Sequence, residues 1–82
     1  MINLLYFSWV REQLGESRET VDTKAKTVRD LVTELRSRNN RYENVFSDLS
    51  GLCVAVDQNL VDFDTSLEGA CEVAFFPPMT GG

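Results

Sequence analysis

The residues with the most chemical promise stand at the end of the chain, which closes Pro77-Pro78-Met79-Thr80-Gly81-Gly82. Neither glycine carries a side chain, so the tail can thread a narrow channel and a reagent can approach the Gly82 α-carboxylate closely. The proline pair stiffens the base of the tail and projects it from the body. Six residues at about 3.3–3.6 Å each reach roughly 20 Å, far enough to enter another protein's active site. With glycine at about 7% of ordinary sequences, two closing glycines arise by chance roughly once in 200 chains. A frayed terminus is the competing reading.

Elsewhere the chemical inventory is thin. The 82 residues include no histidine, which excludes histidine triads and His-ligated zinc, and two cysteines alone do not make a structural zinc site. Cys53 and Cys71 both fall within runs that read as strands, and with no secretion signal they are expected to be buried, reduced and structural. Their nearest charged neighbours, Asp57 and Glu72, would oppose thiolate formation. The chain is therefore not expected to be an enzyme on its own, nor to bind a metal.

Charge is distributed unevenly. Residues 1–41 hold eight basic and six acidic residues, and residues 42–82 hold seven acidic and no basic ones, so the halves carry +2 and −7. An acidic surface of this kind aids solubility or meets basic partner sites. Nucleic acid is a poor electrostatic match. Apolar runs reach only four or five residues, Val73–Phe76 and Leu52–Val56, far short of the about 20 that span a membrane. The N-terminus lacks the basic region of a signal peptide, so a cytoplasmic location is expected.

The elements that must position the tail follow from periodicity. Residues 2–7 read as a strand whose parity sets Ile2, Leu4 and Tyr6 against Asn3, Leu5 and Phe7. Residues 9–14 predict a short helical turn ended by Gly15 in the left-handed conformation, and a weakly alternating edge strand follows over about 17–22. The clearest element is an amphipathic helix over roughly 28–39. Thr27 serves as its N-cap, with Asp30 three residues on, and Val28, Leu31, Val32 and Leu35 recur on one face. Glu34 and Arg38 are spaced as an i,i+4 pair, and Asn39-Asn40 stops the run. A second short helix is predicted around 41–46.

After Gly51 the pattern returns to strands: 52–56, a turn at Asp57-Gln58-Asn59, and 60–63. Polar turn material over 64–69 carries Leu67 as an anchor. A last strand, 71–76, ends at Pro77-Pro78 because proline cannot donate to a ladder. One α+β domain over 1–76 with a tail over 77–82 results, a mixed sheet of about five strands with one main helix laid across it. The first and last strands are expected side by side in the centre. Parity then turns Val73 and Phe75 inward and Ala74 and Phe76 outward, so Phe7 and Phe76 share the outer face near the root of the tail. The hairpin is expected to add Leu60 to this face, and Arg11 is a candidate charged contact beside it. An exposed aromatic pair in that place reads as a partner hot spot. Which face of 52–56 packs inward stays open, because both are apolar or small.

Leu5-Tyr6-Phe7 followed by Val10-Arg11-Glu12, the segment Val56-Asp57-Gln58-Asn59-Leu60-Val61, and above all Glu72-Val73-Ala74-Phe75-Phe76-Pro77-Pro78-Met79-Thr80-Gly81-Gly82 resemble the small subunit of molybdopterin synthase. The resemblance covers the whole chain, and Met79 stands where a β-branched residue is common. It implies a ubiquitin-like β-grasp fold and a sulfur-carrier role. On that footing an enzyme resembling ubiquitin E1 would use ATP and magnesium to adenylate Gly82, and a sulfur donor protein would displace AMP to leave a thiocarboxylate. The carrier would then bring that sulfur to cyclic pyranopterin monophosphate in the large synthase subunit, within a heterotetramer. Gly81 and Gly82 would carry the chemistry. Pro77, Pro78, Met79 and Thr80 would join Phe7, Arg11, Leu60 and Phe76 in partner contact. No cofactor would be bound by this chain. A carrier for thiazole synthesis or transfer-RNA thiolation, or a ubiquitin-like modifier forming isopeptide bonds, are the alternatives.

Overall fold

The computed structural model describes residues 1–78, and Met79, Thr80, Gly81 and Gly82 lie outside them. Strand β1 (Ile2–Tyr6) alternates as its sequence does, with Ile2, Leu4 and Tyr6 buried and Asn3 outside. Helix α1 (Trp9–Leu14) buries Val10 and Leu14 and ends at Gly15, whose φ of 81° is the left-handed cap that glycine adopts without steric cost. Strand β2 (Arg18–Val21) pairs antiparallel with β1 and forms one edge of the sheet.

Helix α2 (Val28–Arg36) lays Val28, Leu31, Val32 and Leu35 into the core, and the Thr27 hydroxyl accepts from the Asp30 N–H at 3.2 Å. It stops three residues short of the expected end. The cause is helix α3 (Asn40–Phe46), whose cap is Asn39: that side chain accepts from the N–H groups of Arg41 and Tyr42, so residues 37–39 form the turn between two helices. The expected Glu34–Arg38 pair is absent for the same reason, since Arg38 has left the helical face. Arg38 pairs instead with Glu19, 2.6 Å away, and Glu34 accepts from the Thr23 hydroxyl.

A 3-10 turn (Leu49–Gly51) leads into β3 (Cys53–Val56), which forms a hairpin with β4 (Asn59–Val61); β5 (Glu72–Phe76) closes the sheet. Asp57 and Gln58 join β3 to β4 at φ 49° and 72°, the two positive values that a tight hairpin turn requires. The strand order is β2-β1-β5-β3-β4, with β1 and β5 parallel and every other pair antiparallel. The first and last strands therefore lie adjacent, as expected, and the main helix α2 is joined by the two shorter helices expected around 9–14 and 41–46.

The core sits between that face and α2 and α3. Phe75 is its centre, stacked on Tyr6 at 6.2 Å and meeting Phe46 edge-on at 5.0 Å. Leu67, the lone apolar residue of the 62–70 loop apart from Phe63 and Ala70, is buried as an anchor. The open question about β3 resolves by register: Val54 and Val56 face in, opposite Phe75 and Val73, which leaves Cys53 and Ala55 outside.

Candidate functional site

Phe75 is the last inward residue of β5, and Pro77 follows Phe76 directly, so the tail departs from the middle of the sheet rather than from an edge. The backbone there is held on both sides. Phe7 N–H donates to the Phe75 carbonyl at 3.2 Å, and Cys53 of β3 is in register with Phe76. At its other end β5 is tied to the hairpin turn: one Asp57 carboxylate oxygen accepts from the N–H groups of Cys71 and Glu72, each at 3.0 Å. The Asp57 N–H donates to the Glu72 carbonyl at 2.9 Å. This tie fixes the register of β5 against β3, and hence where Phe76 and Pro77 emerge.

Phe7 continues the outward parity of β1 and is 47% exposed; Leu60, on β4, is 73% exposed. Phe76 points to the same outer face but is half-buried rather than open, because it lies on a central strand between Phe7 and Cys53. Pro77 is half-buried and Pro78 exposed. Leu60 is opposite Ala55, which is opposite Ala74, so it shares the outer face about two strand spacings, roughly 10 Å, from β5. Arg11 is exposed on α1; among the described residues no ion pair or hydrogen bond of its side chain joins it to the aromatic residues. The expected sites at Met79, Thr80, Gly81 and Gly82 fall outside the described residues.

Sequence reasoning missed Leu5 and Ala55. Both lie in the same outer row as Ala74 and Leu60 and are half-buried. The signal was present in the β1 parity for Leu5, but the two apolar faces of β3 concealed Ala55. Ala74 faces outward as expected and is nonetheless buried, since a methyl group between Leu5 and Ala55 has little surface to offer.

The cysteines divide. Cys53 is half-buried on the outer face, whereas Cys71 is exposed, which corrects the expectation that both are buried: β5 begins at Glu72, one residue later. Cys53 is in register with Phe76, five residues of extended chain or about 16 Å from Cys71, far beyond the about 7 Å Cα limit for a disulfide. Both thiols are free.

Electrostatic perturbation is concentrated away from this surface. Glu19, whose side chain turns toward the helices, accepts from Tyr6 at 2.9 Å, Tyr42 at 2.7 Å and Arg38 at 2.6 Å. Burial pushes its carboxyl pKa up, but those donors outweigh burial and hold it below the ordinary value; burial and the Glu19 bond raise the Tyr6 hydroxyl. This cluster fastens the edge strand to the α2–α3 junction. No helix among the described residues is long and apolar enough to cross a membrane.

Comparison with known proteins places this geometry. The chain is 40% identical over 82 residues, covering all of both sequences, to the molybdopterin synthase sulfur carrier subunit of Escherichia coli (strain K12). It is 35% identical to the subunit of the same name from Mycobacterium tuberculosis (strain ATCC 25618 / H37Rv), over 99% of this chain and 96% of that one. In three dimensions it superimposes on SAMP1 from Haloferax volcanii with a TM-score of 0.76 at 21% identity, covering 99% and 98% of the two chains. It matches the putative molybdopterin converting factor subunit 1 of Pyrococcus furiosus at 0.72 and 23%, over 95% and 97%. These likenesses show the ubiquitin-like β-grasp fold. The ThiS family model matches residues 4–82, and with a relative 40% identical from end to end, the chain belongs to the ThiS family.

Proposed function

We propose that this protein is a sulfur carrier of molybdenum cofactor biosynthesis, the small and by itself non-catalytic subunit of a molybdopterin synthase. The observation that carries this reading is the end-to-end identity of 40% with a protein of that name. The outer face supports it, because Phe7, Phe76 and Leu60 give a partner an apolar surface at the root of the tail.

A carboxylate is a poor electrophile. An E1-like enzyme, with its own ATP and magnesium, joins the Gly82 carboxylate to AMP and releases pyrophosphate. A sulfur donor protein then displaces AMP, leaving a thiocarboxylate on Gly82. In the large subunit that sulfur passes to cyclic pyranopterin monophosphate, and Gly82 returns to a carboxylate as water supplies the oxygen; two carriers in succession furnish the two dithiolene sulfurs. Gly81 lets the reacting end enter a narrow site, and Pro77 to Thr80 span from the sheet to it. The chain binds no cofactor, acts in the cytoplasm and assembles as two copies with two large subunits. Its contribution to rate is positioning.

The test is intact mass after incubation with ATP, the cognate activator and a sulfur donor. The expected gain is one oxygen exchanged for sulfur at Gly82; no gain with an active activator overturns the proposal. Deleting Gly82 should abolish sulfur transfer and leave the melting temperature unchanged. Adducts on lysines of other proteins would support the modifier reading instead, and failure to rescue a strain lacking its molybdopterin carrier would support another pathway.

A further inference from the structure

Residues opposed in neighbouring strands point to the same face, so the outward side chains form rows across the sheet. One row runs Arg18, Leu5, Ala74, Ala55, Leu60. The row nearest the tail runs Phe7, Phe76, Cys53. β5 lies at the middle of both, with two strands on either side. About that strand the rows are complementary to their own reversal. Leu5 on one flank is matched by the small Ala55 on the other, and Phe7 by the small Cys53. At the ends, exposed Arg18 on the β2 edge is matched by exposed Leu60 and by Asp62, the exposed residue that follows β4 on the outward parity.

We infer that the free protein covers this face with a second copy of itself, in a weak two-fold dimer whose axis runs along β5. That axis turns the sheet over so that β2 lies on β4 of the second copy, β1 on its β3, and β5 on β5. Leu5 then packs on Ala55 and Phe7 on Cys53 of the other chain, while Ala74 meets Ala74. Arg18 extends its aliphatic stem over Leu60 and its charge toward Asp62. The aligned packing of two twisted sheets preserves these juxtapositions approximately. Five strands at about 4.8 Å and three rows of side chains cover roughly 400 Å² per copy, below the about 600–1,000 Å² per partner of stable complexes, which places the dimer among weak, transient encounters. Glu72, outward on β5 beside Asn3, falls on the axis against its own copy, and that like-charge contact keeps the dimer weak and exchangeable.

The dimer does not rest on the sulfur-carrier reading. Joined to it, the inference says that self-association and docking on the large subunit compete for one face, so the carrier is shielded when idle and released by its partner.

The experiment is amide NMR and sedimentation velocity on the full chain from about 20 μM to about 1 mM, the range in which a weak, transient dimer forms. Concentration-dependent shifts are expected at Leu5, Ala55, Ala74 and Leu60 but not on the solvent side of α2, together with a rising sedimentation coefficient. Leu60→Asp, at a position open enough to spare the fold, should weaken association at least tenfold, and Glu72→Gln should strengthen it at least twofold. Constant spectra and sedimentation across the range overturn the inference, as does association that survives Leu60→Asp or maps to the helices. Binding of the large subunit to the monomer is read separately, so its presence or absence does not decide the dimer.

Discussion

Glu19 shows how much one carboxylate can organise. It sits on the edge strand opposite Leu4, on the inward parity, and takes three hydrogen bonds from Tyr6, Tyr42 and Arg38. Replacing it with alanine strands the buried Tyr6 hydroxyl without that acceptor, which costs roughly 1–3 kcal/mol; urea denaturation of Glu19→Ala should show it, and adding Tyr6→Phe should recover part of the loss. The same carboxylate makes stability depend on pH. Its folded pKa lies below the unfolded value of 4.5, so its contribution is complete above that value and is lost as pH falls through the folded one. Wild type should therefore lose stability below about pH 4.5 more steeply than Glu19→Gln, measured by denaturation at a series of pH values.

At the scale of elements, the β3–β4 turn and its tie to β5 are the parts most open to change. Gln58 holds φ 72° without being glycine. Gln58→Gly should relieve that strain and raise stability by about 0.5–1 kcal/mol, whereas Asp57→Ala removes the acceptor of two N–H groups and should lower it by about 1–2 kcal/mol. Thermal melts of the two variants in parallel check both signs. These are also the elements where sequence was most informative. Alternation placed β1 and β5, the spacing of Val28, Leu31, Val32 and Leu35 placed α2, and Asp57-Gln58-Asn59 marked the hairpin. Where reading fell short, tertiary context was responsible. Asn39 looked like a stop and is a start, which shortened α2 and sent Arg38 to Glu19. Cys71 looked like strand and is the loop residue before it. No local pattern carries the tie between Asp57 and residues 71–72, because fourteen positions separate Asp57 from Cys71.

Across the whole molecule, the fold divides labour between two faces. The inner one holds every large fully buried side chain, Phe75 and Phe46 among them, and Phe75→Ala should cost about 3–5 kcal/mol in chemical denaturation. Among the described residues no helix covers the outer one. Charge is divided as well: Arg29, Arg36 and Arg38 are paired with Asp64, Glu43 and Glu19, while Asp57, Asp62 and Glu72 border the outer face. The association rate with the large subunit should therefore fall several-fold as salt rises from about 50 to about 500 mM, followed by stopped-flow fluorescence. An insensitive rate would leave the acidic surface as a matter of solubility.

The central position of β5 has a consequence for the order in which the sheet can assemble. β5 follows the other four described strands in the chain, yet it fills the gap between β1 and β3. Until it docks, the two halves of the sheet have no common member: β1–β2 lacks its parallel neighbour and Phe75 is missing from the centre of the core. Closing a parallel pair about seventy residues apart is a slow, non-local step that comes late in folding. The strand that completes the sheet is also the strand from which Pro77 and Pro78 continue. A chain truncated before β5 lacks the strand that joins the two halves of the sheet, and with it the Phe75 ring on which Tyr6 and Phe46 pack.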